Sequence, residues 1–180
     1  MGKYLPPVII GVMCVSNMKL SELKNKEIIT LYSDIIAELK GRKIIRTKNL
    51  LGDLGEYLAI DYYCNTPGFP NLQAAPAGTQ NIDAISRKGE RYSIKSTSGN
   101  LTSVFYGLND PESSEPEIQK FEFVIIVLFS DEFKLKKILE VPWVLFLNHK
   151  KWHKTMRGWN ISITKKLISE ANVVYSDETT

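Results

Sequence analysis

The run FEFVIIVLF, residues 121–129, constrains the fold more than any other segment, because seven apolar residues follow one another from Phe123 to Phe129. Neighbouring side chains of a strand point to opposite faces, so a continuously apolar strand is buried on both faces of its sheet. We therefore predict that this run forms a strand at the centre of a β-sheet and that helices flank the sheet.

Two helices are predicted before the first strand. The first covers Leu20–Lys40 and stops at Gly41, a residue that commonly ends helices. Its apolar side chains share one stripe, made of Ile28, Leu31, Ile35 and Leu39. The second runs from about Thr47 to Tyr63, and its leucine stripe, which recurs at every fourth residue, is predicted to face the core; the stripe consists of Leu50, Leu54 and Leu58. Glu56 lies off that stripe.

The segments that follow predict a mixed sheet. Residues 65–80, NTPGFPNLQAAPAGTQ, are expected to form a loop, because Pro, Gly and Asn are frequent there and no periodicity is present. Strands are expected within 80–98 and at 121–129, 134–141, 160–164 and 173–176, and helices at 142–150 and 164–171. The predicted order, α-α-β-β-β-β-α-β-α-β, indicates an α/β (α+β) fold with a mixed central β-sheet flanked by helices. The chain has 180 residues, which fits one domain over residues 1–180.

Residues Gln80–Ser98 (QNIDAISRKGERYSIKSTS) have the pattern of a β-hairpin, with two alternating runs around a turn that contains Gly89. A two-residue turn would place Asp83 and Lys95 on opposite faces. A three-residue turn that ends at Gly89 would place Asp83 opposite Ser93 and on the same face as Lys95, because a shift of one residue moves every side chain to the other face. We favour the three-residue turn, because its last position is left-handed and therefore favours glycine.

The hairpin resembles the core of the PD-(D/E)XK nucleases, the restriction-endonuclease-like enzymes. In that family an Asp lies near the end of one strand, and a Lys lies on the next strand, two residues beyond a polar position. In this chain the two elements are IDAIS, with Asp83, and YSIKS, with Lys95. The superfamily often adds a Glu on a preceding helix, and Glu56 in NLLGDLGEYLAIDYYC is similar in place. The resemblance covers about residues 49–129. The chain departs from the pattern at Ser93, where the family usually has Glu, Asp or Gln.

The resemblance implies a Mg²⁺ site that hydrolyses a phosphodiester bond. Asp83, Glu56 and the backbone carbonyl of Ile94 would hold the ion, since Mg²⁺ prefers oxygen ligands and keeps positions for water and substrate phosphate. Lys95 would contact the attacking water or the scissile phosphate, which suits a compact ammonium group. Ser93 would contribute only a neutral oxygen to the catalytic set. The alternative is a cross-strand ion pair between Asp83 and Lys95 on a solvated sheet face, without catalysis.

Two segments are candidates for contacts with DNA. The first directly follows the hairpin lysine and can donate hydroxyl hydrogen bonds to phosphates; it consists of Ser96, Thr97 and Ser98. The second, HKKWHKTMRGW at 149–159, interleaves basic residues with tryptophans, as nucleic-acid grooves do; its candidates are Lys150, Lys151, Lys154 and Arg157. The tryptophans, Trp152 and Trp159, could instead anchor the chain in the core. His149 and His153 could hold a metal only if this segment were helical.

Charge and cysteine content indicate the setting in which the chain works. The net charge of +3 allows nucleic-acid binding without requiring it. Cys14 and Cys64 are too few for a disulfide framework, so we expect a reducing cytoplasm. The apolar run within residues 1–17 is too short to span a membrane, and we expect an edge strand or an upstream extension there and no membrane partner.

Together these features predict a Mg²⁺-dependent endonuclease that cuts double-stranded DNA, of the type II restriction or a related defence class. A homodimer is expected, because one site per chain must cut two strands. Two other functions stay open. One is a nuclease-like protein that binds DNA without cutting it, since Ser93 leaves the site one carboxylate short. The other is a repair nuclease that recognises DNA structure.

Overall fold

A computed structural model describes residues 19–76 and 78–177 of the chain. The chain divides into two compact units, Met1–Lys43 and Ile44–Thr180. The segment 1–17, for which an edge strand or an extension is expected, lies outside the described residues. The expectation of one domain over residues 1–180 stays a prediction.

The first unit contains the predicted N-terminal helix, although it begins later than expected. A short 3-10 helix covers Leu20–Glu22, and helix α1 covers Asn25–Gly41. The two are separate because Lys24 is extended, and its backbone N–H donates to Glu27 Oε2 at 2.7 Å. No residue of α1 is buried, and Ile28 of the predicted apolar stripe is 42% exposed. The helix is confirmed, and its stripe stays largely open to solvent.

The second unit alternates strands and helices in an order close to the predicted one. Its elements are α2 (Leu50–Asn65), β1 (Leu72–Ala74), β2 (Ala84–Ser86), β3 (Arg91–Thr97), β4 (Phe123–Phe129), β5 (Leu135–Pro142), α3 (Trp143–His149), β6 (Lys150–His153), β7 (Gly158–Ile161), α4 (Lys165–Glu170) and β8 (Asn172–Ser176). Six strands form one sheet in the order β1-β2-β3-β4-β5-β8, and β6 and β7 form a separate pair. In the large sheet β3 and β4 run parallel, and the other neighbours are antiparallel.

The apolar run predicted as the central strand is β4, and its position is confirmed. It lies between β3 and β5, and residues 124–127 have no exposed surface. Ile125 and Val127 pack in a cluster with α2 residues, whereas Val124 and Ile126 pack in a second cluster with residues of α3 and α4. Helices therefore contribute to the core on both faces, and the predicted mixed sheet flanked by helices is confirmed.

Helix α2 turns a different side toward the sheet from the one predicted. Its buried side contains Gly55, Ala59 and Tyr63, whereas the leucine stripe is only half-buried at the edge of the core. The physical reason is close packing of backbones. A Cβ built on Gly55 would lie 1.8 Å from Ser96 Oγ in β3, so only glycine permits this approach. Leu54 and Leu58 of the predicted stripe pack against the core only at its edge, so the prediction that the stripe faces the core is confirmed in part.

Two segments form strands that the sequence pattern does not reveal. The segment 65–80 contains β1, which pairs with β2 so that Leu72 lies opposite Ser86. The prediction of an uninterrupted loop was therefore wrong, because three residues are too few to show an alternating pattern. The segment 150–153 forms β6, which pairs with β7. Since β6 is extended, His149 and His153 do not share a helical turn, and the condition for a histidine metal site is not met.

Candidate active site

The β2–β3 hairpin closes with the predicted three-residue turn. Ser86 and Glu90 face each other across it, and the Ser86 N–H donates to the Glu90 carbonyl at 2.9 Å. Gly89 ends the turn with a φ of 86°, in the left-handed region that glycine adopts without strain. Along the strands Ala84 lies opposite Tyr92. The register is therefore the one that a three-residue turn requires.

This register brings Asp83 close to Ser93 in the hairpin. Asp83 lies at a bend directly before β2, where its N–H donates to the Tyr92 carbonyl at 2.8 Å; the register of β2 and β3, continued by one residue, would join it to Ser93. The contact between their side chains, 3.3 Å from Ser93 Oγ to Asp83 Oδ2, agrees with this register. Ser93 and Lys95 share a face because side chains alternate along β3. The three-residue turn and the contact between Asp83 and Ser93 are confirmed, and the placement of the Lys95 ammonium group beside Asp83 stays a prediction.

One carboxylate oxygen of Asp83 is held in place by β3. Asp83 Oδ2 accepts the backbone N–H of Ile94 at 2.6 Å and the hydroxyl of the fully buried Ser93. Within the described residues, Asp83 Oδ1 has no hydrogen-bond partner. The N–H and C=O of one residue in a strand point to the same side, so the Ile94 carbonyl also turns toward Asp83. Two oxygens, one from each residue, can therefore contact a common ligand.

Lys95 is half-buried beside an aromatic ring. Its Nζ lies 5.0 Å from the centre of the Phe105 ring, a distance at which a cation and a π face attract each other. Across residues 19–76 and 78–177, Lys95 forms no ion pair with a carboxylate. The structure therefore does not contain the Asp83–Lys95 ion pair that would explain both residues without catalysis. The ammonium group is left with hydrogen-bonding capacity for a ligand.

Glu56 is held by an ion pair on the side of the sheet that α2 covers. Its Oε2 lies 2.6 Å from Arg46 Nη2, and its side chain is 18% exposed. Burial raises the pKa of Glu56, Arg46 opposes this effect, and the negative charges of Asp83 and Asp53 add to it. The Asp83 carboxyl group has a weaker influence on the Glu56 carboxyl group than burial and Arg46 have. No hydrogen bond joins the two carboxyl groups in the described part of the chain.

The position of Arg46 depends on Asp53, and neither residue was predicted to belong to the site. Asp53 Oδ2 accepts the N–H of Arg46 at 2.8 Å, the N–H of Thr47 at 2.6 Å and the Thr47 hydroxyl at 3.0 Å. Burial opposes the charged form of Asp53, but these hydrogen bonds outweigh it and hold its pKa below the ordinary value. An Asp three residues before Glu56, in the first turn of a helix, is the signal that could have indicated this arrangement.

The oxygens around Asp83 fit a hard divalent cation with few protein ligands. Among the described residues, no group of three or more His, Cys, Asp and Glu side chains is placed to hold a metal. Mg²⁺ does not need such a group, because one or two carboxylates with water and substrate phosphate satisfy it. Asp83 Oδ1 and the Ile94 carbonyl supply two oxygens. Glu56 can supply a third, provided that its carboxylate is shared with Arg46 or released from it.

The three hydroxyl residues after Lys95 have different surroundings. Ser96 Oγ is buried against α2 without a hydrogen-bond partner in the described chain, so it cannot reach a phosphate in this conformation. Thr97 is buried, and its Oγ1 accepts the Gly99 N–H at 3.0 Å. Ser98 is exposed. Of this predicted DNA-contact segment, Ser98 is therefore the residue that a phosphate can approach directly.

The basic segment 149–159 is divided between anchored and exposed side chains. Lys150 Nζ pairs with Glu117 Oε2 at 2.6 Å, and both side chains are largely buried. His149 Nε2 lies 2.6 Å from Glu170 Oε2. The side chains that remain exposed for a partner are Lys151, Lys154 and Arg157.

Comparison with known proteins adds no assignment. No protein-family model matches this chain, and no curated protein sequence matches it either. In the described ranges, no helix is long and apolar enough to cross a membrane. Support for a function therefore comes from the geometry of the hairpin and of α2.

Proposed function

We propose that this chain is a Mg²⁺-dependent endonuclease that hydrolyses phosphodiester bonds in double-stranded DNA, with a restriction-endonuclease-like fold. One observation carries the proposal: the β2–β3 hairpin fixes the Asp83 carboxylate against Ser93 and Ile94, and Lys95 follows Ser93 by two residues on the same strand. Asp83, Glu56 and Lys95 are the residue types that the resemblance to PD-(D/E)XK nucleases implies. Lys95 points away from the sheet face that α2 covers, because its neighbour Ser96 packs against Gly55. The class that we propose is a type II restriction enzyme or a related defence nuclease.

The hairpin prepares its two charged groups in different ways. Asp83 is oriented before any ligand binds, because its Oδ2 is fixed by the Ile94 N–H and its Oδ1 is left for the ligand. Lys95 lies over the Phe105 ring, which shields one side of the ammonium group from water. A partly desolvated ammonium interacts more strongly with a phosphoryl oxygen than a fully solvated one. Ser93 acts as a support for Asp83 rather than as a ligand.

Asp83, the Ile94 carbonyl and Glu56 would hold the Mg²⁺. Bound there, the ion would supply charge neutralisation at the phosphate and activation of water. Glu56 contributes only when it is ionised, and Arg46 favours the ionised form. The raised pKa of Glu56 therefore sets a lower limit in pH for this role.

A specific set of contacts favours a second function, DNA binding without cleavage. Arg46 already neutralises Glu56, and Ser93 is uncharged where the family usually has an acid or Gln. These contacts would leave Asp83 as the single available carboxylate. Calorimetric titration with Mg²⁺ separates the two functions. If the chain is a nuclease, it should bind Mg²⁺, and the Asp83→Asn protein should not. If the chain binds DNA without cutting it, the unchanged chain should show no heat of Mg²⁺ binding.

Cleavage of supercoiled plasmid, with and without Mg²⁺, tests the proposed reaction. Cleavage that requires Mg²⁺ and is absent in Asp83→Ala and Lys95→Ala proteins supports the proposal. We also propose that the active form is a homodimer, because two sites are needed to cut both strands in one encounter. Linear product without accumulation of nicked circles supports the dimer, and nicked circles alone contradict it. A protein that binds the plasmid and never cuts it contradicts the nuclease proposal.

A further inference from the structure

The antiparallel pair β6–β7 projects a compact group of exposed side chains. The two strands are joined by four residues, from Lys154 to Arg157, and all four are exposed. Met156 is 50% exposed within this turn. Residues 150–161 are here called the ribbon, and residues 154–157 are called its tip. The tip presents an apolar side chain next to two cations.

Side chains hold the stem of the ribbon in place. Trp152 and Trp159 lie opposite each other in the register, with ring centres 5.3 Å apart in an edge-to-face arrangement. Trp159 Nε1 donates to the Asn109 carbonyl at 2.7 Å, and Lys150 Nζ lies 4.1 Å from the Trp159 ring centre. The tryptophans are therefore anchors of the stem, and the ribbon can present its tip in one orientation.

Arg157, a charged residue of the tip, has a backbone conformation that glycine adopts without strain. Arg157 has a φ of 49°, in the left-handed region, which is unfavourable for a residue with a Cβ. The N–H of Met156 donates to His153 Nδ1 at 3.2 Å, which further defines the turn. Strained backbone conformations of this kind cluster at functional positions. Lys43, Asn81 and Phe133 have similar φ values in the described chain, so the case for a functional guanidinium group at the tip rests on its exposure and charge.

The ribbon is joined to the face of the sheet that carries Lys95. Phe105 pairs with Trp159 through two backbone hydrogen bonds, of 2.6 and 3.0 Å. The ring of the same Phe105 lies under the Lys95 ammonium group. Phe105 therefore contacts both the stem of the ribbon and the proposed catalytic lysine. A duplex held by the ribbon would lie beside the proposed active site.

We propose that the ribbon enters the major groove of double-stranded DNA, with Met156 against base edges and Lys154 and Arg157 at the flanking phosphates. This inference rests on the proposed function and adds its recognition element. Two strands about 4.8 Å apart, with their side chains, are too wide for a minor groove of about 6 Å and fit a major groove of about 12 Å. The thymine methyl group is the apolar feature of that groove, and Met156 is the apolar side chain that can contact it.

Binding of paired duplexes to the Asp83→Asn protein, which is chosen to prevent cleavage, tests the ribbon. One duplex contains thymine, and the other has uracil in its place and lacks the methyl groups. Met156→Ala should weaken binding to the thymine duplex by about five- to tenfold and should have little effect on the uracil duplex, since the apolar contact that it removes is the one to the thymine methyl groups. Met156→Leu should retain most of the affinity.

Arg157→Gly should lower the affinity for DNA without lowering the thermal stability of the protein. It removes the charge and relieves the strained φ, so thermal stability should be equal or higher, while DNA affinity falls and the salt dependence of binding decreases by about one unit of slope. Lys136→Ala, which removes an exposed lysine of β5, serves as the charge-matched control and should bind as the parent protein does.

The outcomes distinguish the ribbon proposal from the nuclease proposal. Ribbon variants that bind both duplexes like the parent protein would overturn the ribbon proposal, even if Asp83→Ala and Lys95→Ala abolish cleavage and thereby support the nuclease. Ribbon variants that lose binding in a chain that never cuts DNA would support the ribbon and contradict the nuclease. A parent protein without affinity for either duplex would overturn both.

Discussion

Replacing Gly55 with alanine should destabilise the second unit, because Gly55 is where α2 comes closest to the sheet. A Cβ built on Gly55 would lie 1.8 Å from Ser96 Oγ, 2.8 Å from Ser96 Cβ and 3.4 Å from Phe129 Cε2. Non-bonded carbon atoms at their optimal separation are about 3.5–4.0 Å apart. The Ser96 hydroxyl can rotate away, but its Cβ cannot, so α2 and β3 must separate.

Two effects of opposite sign determine the size of the loss. Alanine is favoured over glycine inside a helix by about 1 kcal/mol. An extra methyl group in a filled core costs about 1–3 kcal/mol, and the short contact to Ser96 Cβ places Gly55→Ala in the upper part of that range. The net loss in the free energy of unfolding should be about 1–2 kcal/mol. For a domain of this size the midpoint of thermal unfolding should fall by about 2–8 °C.

Urea denaturation followed by circular dichroism measures this loss. The control introduces Gly55→Ala into a Ser96→Gly protein, in which the colliding side chain is absent. There the alanine should be neutral or stabilising, so the two substitutions should be coupled by about 1 kcal/mol or more. A Gly55→Ala protein at least as stable as the unchanged chain would refute the close packing of α2 on β3.

Three further predictions concern side chains near the proposed site. Asp53→Asn should lower the free energy of unfolding at neutral pH by about 1.5–3 kcal/mol, because a charged acceptor of three hydrogen bonds is lost. Since the pKa of Asp53 is lowered from 3.8, its contribution is complete above that pH and is lost as the pH falls through the lowered value, so urea titrations at decreasing pH should show a shrinking deficit. Ser96→Ala should leave the urea midpoint unchanged or raise it, because the buried Ser96 Oγ has no partner in the described chain. Arg46→Ala should move the acid limb of the cleavage–pH profile to higher pH, because Arg46 lowers the pKa of Glu56.

The hairpin was predictable because one residue type decides its geometry. A left-handed position in a tight turn favours glycine, and Gly89 therefore determines the length of the turn. Turn length determines register, and register determines which side chains share a face. The contact between Asp83 and Ser93 follows from this local chain of causes. The central position of β4 was predictable for a similar reason, since a continuously apolar strand requires cover on both faces.

The packing of α2 was not predictable from apolar periodicity, because the closest contact is made by the smallest residues. Hydrophobicity favours the leucine stripe, but Gly55 and Ala59 allow the backbone to approach β3, and the leucines then pack at the edges. The ion pair between Arg46 and Glu56 had only a weak signal in the sequence, the Asp in the first turn of α2. It depends on a loop conformation that Asp53 imposes through backbone hydrogen bonds, and such contacts leave little periodic signal.

The most direct test of the proposed site is the rate of DNA cleavage, in Mg²⁺, by proteins in which the charge of one hairpin residue is removed at nearly constant shape. Asp83→Asn and Lys95→Gln should each lower the rate by at least about 100-fold while the thermal midpoint stays close to that of the unchanged chain. Lys136→Ala should cut at the unchanged rate. Cleavage by Asp83→Asn and Lys95→Gln at the rate of the unchanged chain would contradict the account, because the nuclease activity would then lie outside the hairpin.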